Sequence, residues 1–207
     1  MIEAVLFDMG KVLIEFSHPR MHAQMGEVLG CHATDVAAAL MAERLQDRYE
    51  GGHVTTAELI AAMRRIARRE FDEDALVRAS CDIFEPIAAT VATAWQLKRA
   101  GYRLAVVSNT NEAHVAFIQE RYEILAPFDA LVMSYAVRAI KPEPAFYAAA
   151  VAQVGASSPA ACVFIDDVAV NVAGAASYGM TGVLCTTPAA LRDELRRLGL
   201  RGLHEDA

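Results

Sequence analysis

AVLFDMG, at residues 4–10, is the stretch whose reading decides the fold. Ala4 to Phe7 is apolar without a break, and the run stops at Asp8 and Gly10. Uniform apolarity over a short run, rather than alternation, predicts a central strand buried on both faces. A polar residue and a glycine straight after it predict a turn into a loop. The same pattern recurs downstream. RLAVV at 103–107 ends at Ser108-Asn109, ALVMS at 130–134 is a shorter run, CVFI at 162–165 ends at Asp166-Asp167, and TGVL at 181–184 is the last.

Helical segments separate these runs. Ala89 to Ala100 is closed by Gly101, Asn111 to Tyr122 follows the second strand, and Glu143 to Val154 lies between Pro142-x-Pro144 and Gly155. Asn171 to Tyr178 is closed by Gly179, and Pro188 to Leu198 ends the series. Proline at the start and glycine just past the end are the expected helix boundaries. Strand and helix in alternation predict an α/β fold, a Rossmann-like parallel sheet with helices on both faces.

Between about His18 and Pro86 the rhythm changes. Apolar residues recur at helical spacing (Met21, Met25, Val28, Leu29; Val36, Leu40, Leu45; Leu59, Ile60, Met63; Leu76, Ile83), Thr55 to Glu58 has the form of a capping box, and Gly51-Gly52 divides two helices. This stretch of some four helices carries no strand signal. The expected organisation is a core of residues 1–15 and 88–207, with a small all-helical cap domain of residues 16–87 inserted after the first strand.

Composition narrows the function. The chain has 207 residues, 55% hydrophobic and 22% charged, with a net charge of −7. That balance excludes a disordered or fibrous chain and speaks against nucleic-acid binding, which needs a clustered basic surface. Glu3 and Asp8 interrupt the N-terminal apolar stretch, and no run reaches the roughly 20 apolar residues of a membrane span. Cys31, Cys81, Cys162 and Cys185 have no paired spacing and read as buried free thiols. These features fit a cytoplasmic protein, a monomer or homodimer, acting on a small molecule.

In an open parallel sheet, ligands bind outside the carboxyl ends of the strands. Asp8, Ser108-Asn109 and Asp166-Asp167 occupy those ends. Three carboxylates crowded together oppose one another's ionisation, and a hard divalent cation relieves that; oxygen ligands suit magnesium. Ser108, Asn109 and Lys141 add donors and a positive charge, as a pocket for a phosphoryl group requires. A carboxylate beside such a pocket can attack phosphorus and divide hydrolysis into two easier steps.

These residues resemble the haloacid dehalogenase superfamily of hydrolases. FDMGKVL at 7–13, VVSNT at 106–110, KPEPAFY at 141–147 and FIDDVAVNVAGAASYGM at 164–180 look like its four motifs in order. The helical stretch is similar to the family's helical cap of the first type (C1, subfamily I). YEGGHVTTAEL at 49–59, with Asp-x-Gly in the first motif, resembles the branch that includes alpha-D-glucose-1-phosphate phosphatase. The resemblance implies a magnesium-dependent phosphatase acting on a phosphorylated metabolite, a sugar phosphate by branch. Asp8 would be nucleophile and magnesium ligand, the Gly10 carbonyl and Asp167 further ligands, and Asp166 in or near the metal's shell. Ser108 and Asn109 would hold phosphoryl oxygens, and Lys141 would neutralise nucleophile and phosphate together.

The departure is Gly10, where most phosphatases of the superfamily carry an acid/base Asp. Glu15 and His18 are the nearest candidates to replace it. Arg44, Arg48, Tyr49 and His53 are cap residues with chemistry suited to reading a leaving group. Two rival readings follow: a catalytically impaired binding protein, favoured only by Gly10, and a 2-haloacid dehalogenase, disfavoured by the Asp166-Asp167 pair. A phosphoglucomutase-type transferase ranks lower, since it too wants the missing Asp.

Overall fold

The computed structural model describes residues 1–204. Its sheet is built from the apolar runs: β1 (Ala4–Phe7), β4 (Arg103–Ser108), β5 (Ala130–Met133), β6 (Cys162–Asp166) and β7 (Thr181–Leu184). All pairings are parallel, and the order is β5-β4-β1-β6-β7. The fold is therefore α/β, with β1 at the centre, as the unbroken apolarity of Ala4 to Phe7 requires. All four of its residues are fully buried.

Strand alternation divides the core. Val5, Phe7, Leu104, Val106, Val163 and Ile165 face one apolar cluster. Ala4, Leu6, Ala105, Val107 and Phe164 face the other, against Phe146, Tyr147 and Ala150. Those three belong to α9 (Pro144–Val154), which begins at Pro144 and ends on Gly155 in the left-handed conformation.

The chain leaves the sheet at Asp8, turns, and forms a second, two-stranded antiparallel sheet that the sequence does not announce. Its strands are β2 (Ile14–Phe16) and β3 (Phe84–Pro86), three residues each. Such short strands carry no periodicity to read; pairing across 70 residues of intervening chain creates them. Between them lie five helices, α1 (His18–Leu29), α2 (Ala33–Met41), α3 (Leu45–Glu50), α4 (Thr56–Arg64) and α5 (Glu73–Cys81). The additional helix arises where Glu43 and Arg44 take positive φ of 51° and 54° and break the path between α2 and α3. Ser17 caps α1 through the Arg20 amide, and Thr55 with Glu58 forms the capping box at α4. Met21, Met25, Leu29, Val36, Leu40, Ile60, Met63 and Leu76 pack together and join the core of one sheet face through Val12, Leu13 and Ile14.

The remaining helices are α6 (Ala88–Arg99), α7 (Glu112–Arg121), α8 (Ser134–Val137), α10 (Ala169–Ser177) and α11 (Pro188–Arg197). Cys81, Cys162 and Cys185 are buried free thiols, and Cys31 is a half-buried one. Among the described residues no helix is long and apolar enough to cross a membrane.

Candidate active site

The strand order reverses at β1, with β4 on one side and β6 on the other. That places a crevice at the carboxyl ends of these three strands. The Asp8 amide donates to the Ile165 carbonyl at 2.8 Å, continuing the β1–β6 ladder one residue beyond the strand. Asp8, Ser108 and Asp166 thus meet because the sheet aligns three strand ends.

Lys141 binds them together. Its Nζ, on a side chain 2% exposed, donates to Asp8 Oδ1 and Asp166 Oδ2 at 2.7 Å each and to the Val107 carbonyl at 3.1 Å. Asp8 Oδ1 also accepts from the Met9 amide at 2.7 Å. Among the described residues no protein group donates to Asp8 Oδ2, which is left to a ligand. Asp166 is the most committed carboxylate: besides Lys141 it accepts from the Val168 amide at 2.8 Å and from Asn171 Nδ2 at 3.1 and 3.2 Å. Asp167 is half-buried and lines the cavity.

Burial pushes the Asp8 carboxyl up to about 7; Lys141 opposes the shift and Asp166 adds to it. Burial, then Asp166, raises Asp167 as well. Burial alone would lower Lys141, but the carboxylates of Asp8 and Asp166 outweigh it and hold the ammonium above its usual range.

Three carboxylates against one ammonium, when all are ionised, leave the cluster two negative charges in excess, a cost that adds to that of burial in raising Asp8 and Asp167. Asp8, Asp166 and Asp167 each present an oxygen within 4.8 Å of the others. Gly10 lines the same cavity, and its carbonyl accepts none of the backbone hydrogen bonds that close the Met9–Ile14 turn. An all-oxygen donor set with a twofold charge deficit fits a hard divalent cation.

The structure gives Asn109 a further role. The Asn109 amide is engaged with the backbone of Lys141: its Oδ1 accepts from the Lys141 amide at 2.8 Å and its Nδ2 donates to the Lys141 carbonyl at 3.2 Å. Asn109 therefore sets the position of Lys141, and the second N–H of its Nδ2 has no protein partner among the described residues. Ser108 is buried and lines the cavity, and among the described residues the one bond its hydroxyl donates, to the Asn109 carbonyl, spans 3.5 Å, long enough to leave Oγ available.

The cavity has about 220 Å³ of room. That lies below the roughly 300–1,000 Å³ of ligand pockets for drug-sized molecules and suits a small substrate. Its floor is Asp8, Ser108, Lys141 and Asp167; His18, Glu50 and Phe84 come from the helical stretch and its flanking strand. Glu15 turns away, pairing with Lys11 at 2.5 Å on the surface. Arg44, Arg48 and His53 line a separate groove with Arg138 and Glu143, and the Tyr49 hydroxyl pairs with Thr56 at 2.9 Å. Glu50 and His114 carry no local signal in the sequence: a six-residue helix such as α3 does not show its inward face, and His114 reaches the cavity only because α7 packs against α5.

A family model described as haloacid dehalogenase-like hydrolase matches residues 2–179. The chain belongs to this family. Among solved structures, the chain is similar to a haloacid dehalogenase family enzyme of Bacteroides thetaiotaomicron, bt-2542, in complex with magnesium and inorganic phosphate. The identity is 21% over 89% of this chain and 94% of that one, with a TM-score of 0.78. A haloacid dehalogenase-like hydrolase from Porphyromonas gingivalis aligns over the whole of both chains at 24% identity and TM-score 0.77. The L-2-haloacid dehalogenase of Xanthobacter autotrophicus, with chloropropionic acid covalently bound, is more distant: 18% identity, 100% and 91% coverage, TM-score 0.63. At these identities the likeness is one of fold. Within the family the chain is a hydrolase, and the strand-end cluster built on Asp8 is its candidate site.

Proposed function

We propose that the protein is a magnesium-dependent phosphatase that hydrolyses a small phosphorylated metabolite through an aspartyl-phosphate on Asp8. The observation that carries this reading is the excess of two negative charges in the Asp8–Asp166–Asp167–Lys141 cluster. A cluster so charged is costly by itself and is balanced by a divalent cation. Asp8, Asp167 and the Gly10 carbonyl would hold the ion, with Asp166 beside them. When bound, magnesium supplies charge neutralisation for the phosphoryl oxygens and for the nucleophile.

The protein's own residues divide the remaining tasks. Lys141 fixes one Asp8 oxygen and presents positive charge to the incoming phosphate. Asp166 and Asn171 hold Lys141 from below, and Asn109 holds its backbone. Ser108 offers its hydroxyl to a phosphoryl oxygen. Asp8 attacks phosphorus as the ester bond breaks, and water then cleaves the acyl-phosphate, regenerating Asp8 and releasing inorganic phosphate.

The 16–87 segment acts as the cap over residues 1–15 and 88–207, closing the cavity from above and excluding water. A sugar phosphate is the substrate class that the branch resemblance favours. The setting is a cytoplasmic monomer or homodimer. A metal-free dehalogenase has no use for the Asp166-Asp167 pair, which stands within 4.8 Å of Asp8 and favours the metal-dependent reading.

The test is phosphate release from p-nitrophenyl phosphate and a panel of phosphorylated metabolites, with magnesium and with EDTA. Turnover that requires magnesium and vanishes in Asp8→Asn is expected. No hydrolysis across the panel would leave the binding-protein reading, and halide release from a 2-haloacid without metal would favour the dehalogenase.

A further inference from the structure

Position 10 lacks more than a side chain; it lacks the room for one. A Cβ built on Gly10 would lie 2.8 Å from Phe16 Cε1, nearer than carbon atoms approach. The Phe16 ring, held between the Lys11 ammonium at 4.9 Å and the His18 ring at 5.0 Å, fills the space where an acid/base side chain would start. A proton for the departing oxygen must come from elsewhere on the cavity wall.

The other titratable groups there can be taken in turn. Asp8 and Asp167 belong to the cluster, and Lys141 is bound to two carboxylates. Lys11 is paired with Glu15. His114 is locked neutral: Nε2 faces the Ser80 carbonyl at 3.2 Å and so carries the proton, leaving Nδ1 to accept from Asn111 Nδ2 at 3.1 Å. Burial lowers it to about 4. His18 and Glu50 remain.

His18 is pulled down by burial, by His22 and by Lys11, away from the protonated form that a proton donor needs. Glu50 is different. It is half-buried at the end of α3, Oε1 accepts from Gln46 Nε2 at 3.0 Å, and its other oxygen has no protein partner among the described residues. Burial, with Asp47 adding and Gln46 opposing, raises its carboxyl to about 7. That is the range in which a carboxyl serves as acid and then as base at neutral pH. Its backbone is fixed to the core: Ser134 Oγ, at the start of α8, donates to the Glu50 carbonyl at 2.5 Å. Two residues on, Gly52, at φ +71°, lies so close to the Tyr135 carbonyl that any Cβ would collide. Glu50, which lines this cavity and a small neighbouring one beside Met21, Met25 and Leu40, is thus carried by a segment tied to the sheet's edge.

We propose that Glu50 is the proton-transfer residue of this site, standing in from the helical segment for the side chain that Gly10 and Phe16 exclude. The inference rests on the phosphatase reading above. In the first step Asp8 forms its bond to phosphorus, the ester P–O bond breaks, and the Glu50 proton passes to the departing alkoxide. In the second the Glu50 carboxylate takes a proton from water, whose oxygen attacks phosphorus. The Asp8–phosphorus bond breaks, phosphate leaves, and Glu50 is protonated again.

The experiment compares wild type, Glu50→Gln, His18→Ala and Asp8→Asn, with magnesium, on glycerol 2-phosphate and p-nitrophenyl phosphate. The alkoxide of the first needs a proton, whereas p-nitrophenolate leaves without one. Glu50→Gln is expected to lose about 100- to 10,000-fold in kcat on glycerol 2-phosphate. It should also lose the pH–rate limb near neutrality and keep a rapid-quench burst of p-nitrophenol, which shows the nucleophile and fold intact. The proposal is overturned if Glu50→Gln keeps glycerol 2-phosphate turnover within threefold with an unchanged pH profile. It is equally overturned if the variant loses the burst as completely as Asp8→Asn, or if His18→Ala shows the selective loss instead. If wild type hydrolyses neither ester, the phosphatase reading itself has failed and the proposal with it.

Discussion

Replacing Lys141 by methionine keeps the length of the side chain and removes the charge that balances the site. Nζ lies 2.7 Å from both Asp8 and Asp166, and the three side chains are 2%, 10% and 0% exposed. Water therefore cannot compensate. Breaking a buried pair by removing one partner typically costs about 3–5 kcal/mol, because the other charge stays buried and unpaired. At about 2–4 °C per kcal/mol for a chain of this size, the loss in Tm is roughly 6–20 °C. Its pH dependence has a definite sign. In the variant, Asp8 loses the charge that opposes its burial shift and is harder to ionise folded than unfolded, so the folded state holds an extra proton and stability rises as pH falls. The deficit against wild type is thus largest at pH 8 and shrinks toward pH 5. Magnesium reduces it at pH 8 by restoring the missing charge. Thermal unfolding of both proteins at the two pH values, with magnesium and with EDTA, measures all of this. A deficit that ignores both pH and magnesium would refute the charge-balance argument and reduce Lys141 to a packing role.

Magnesium is expected to stabilise the wild-type protein by about 2.7 kcal/mol at 100 times its Kd, roughly 5–11 °C in Tm. Asp8 is raised from 3.8 to about 7, so in the metal-free protein its contribution to stability is full below about pH 4 and is lost as pH rises through about 7. The magnesium shift in scanning calorimetry should therefore be larger at pH 8 than at pH 5. Gly10→Ala should cost about 1–3 kcal/mol in urea unfolding through the clash with Phe16. Most of that cost should disappear in a Phe16→Leu background, and additive losses would show that the ring does not fill the space. Asn109→Ala removes both hydrogen bonds to the Lys141 backbone, so stability should fall by about 1–3 kcal/mol and kcat with it. A raised KM with unchanged stability would instead return Asn109 to the phosphoryl group.

Residue patterns carried the central frame. Short apolar runs, three of them ended by Asp8, by Ser108-Asn109 and by Asp166-Asp167, report burial on both faces, and burial on both faces reports a parallel sheet. On that ground alone Asp8, Ser108 and Asp166 belong together, because strand ends in such a sheet share one edge. Lys141 was legible only as a charge on a loop. That it reaches both Asp8 and Asp166 depends on Asn109 fastening its backbone, a pairing of residues 32 apart. β2 and β3 were invisible for the same reason, since three-residue strands exist only through their partner.

Around the missing acid/base group, sequence proximity pointed to Glu15 and His18. Glu15 lies on an exposed strand beside Lys11 and faces solvent, while His18 does line the cavity. In α3, attention to Arg44, Arg48 and Tyr49 bypassed Glu50, because a six-residue helix does not declare its inward face. That face is chosen by contact with another element, here the Ser134 hydroxyl and the Tyr135 backbone. The chain by itself determined the sheet, the strand-end carboxylates and the absence of a side chain at Gly10. Only the tertiary structure decided that Phe16 occupies the vacant space and that Glu50 faces the cavity, because both depend on distances between segments that local pattern does not encode.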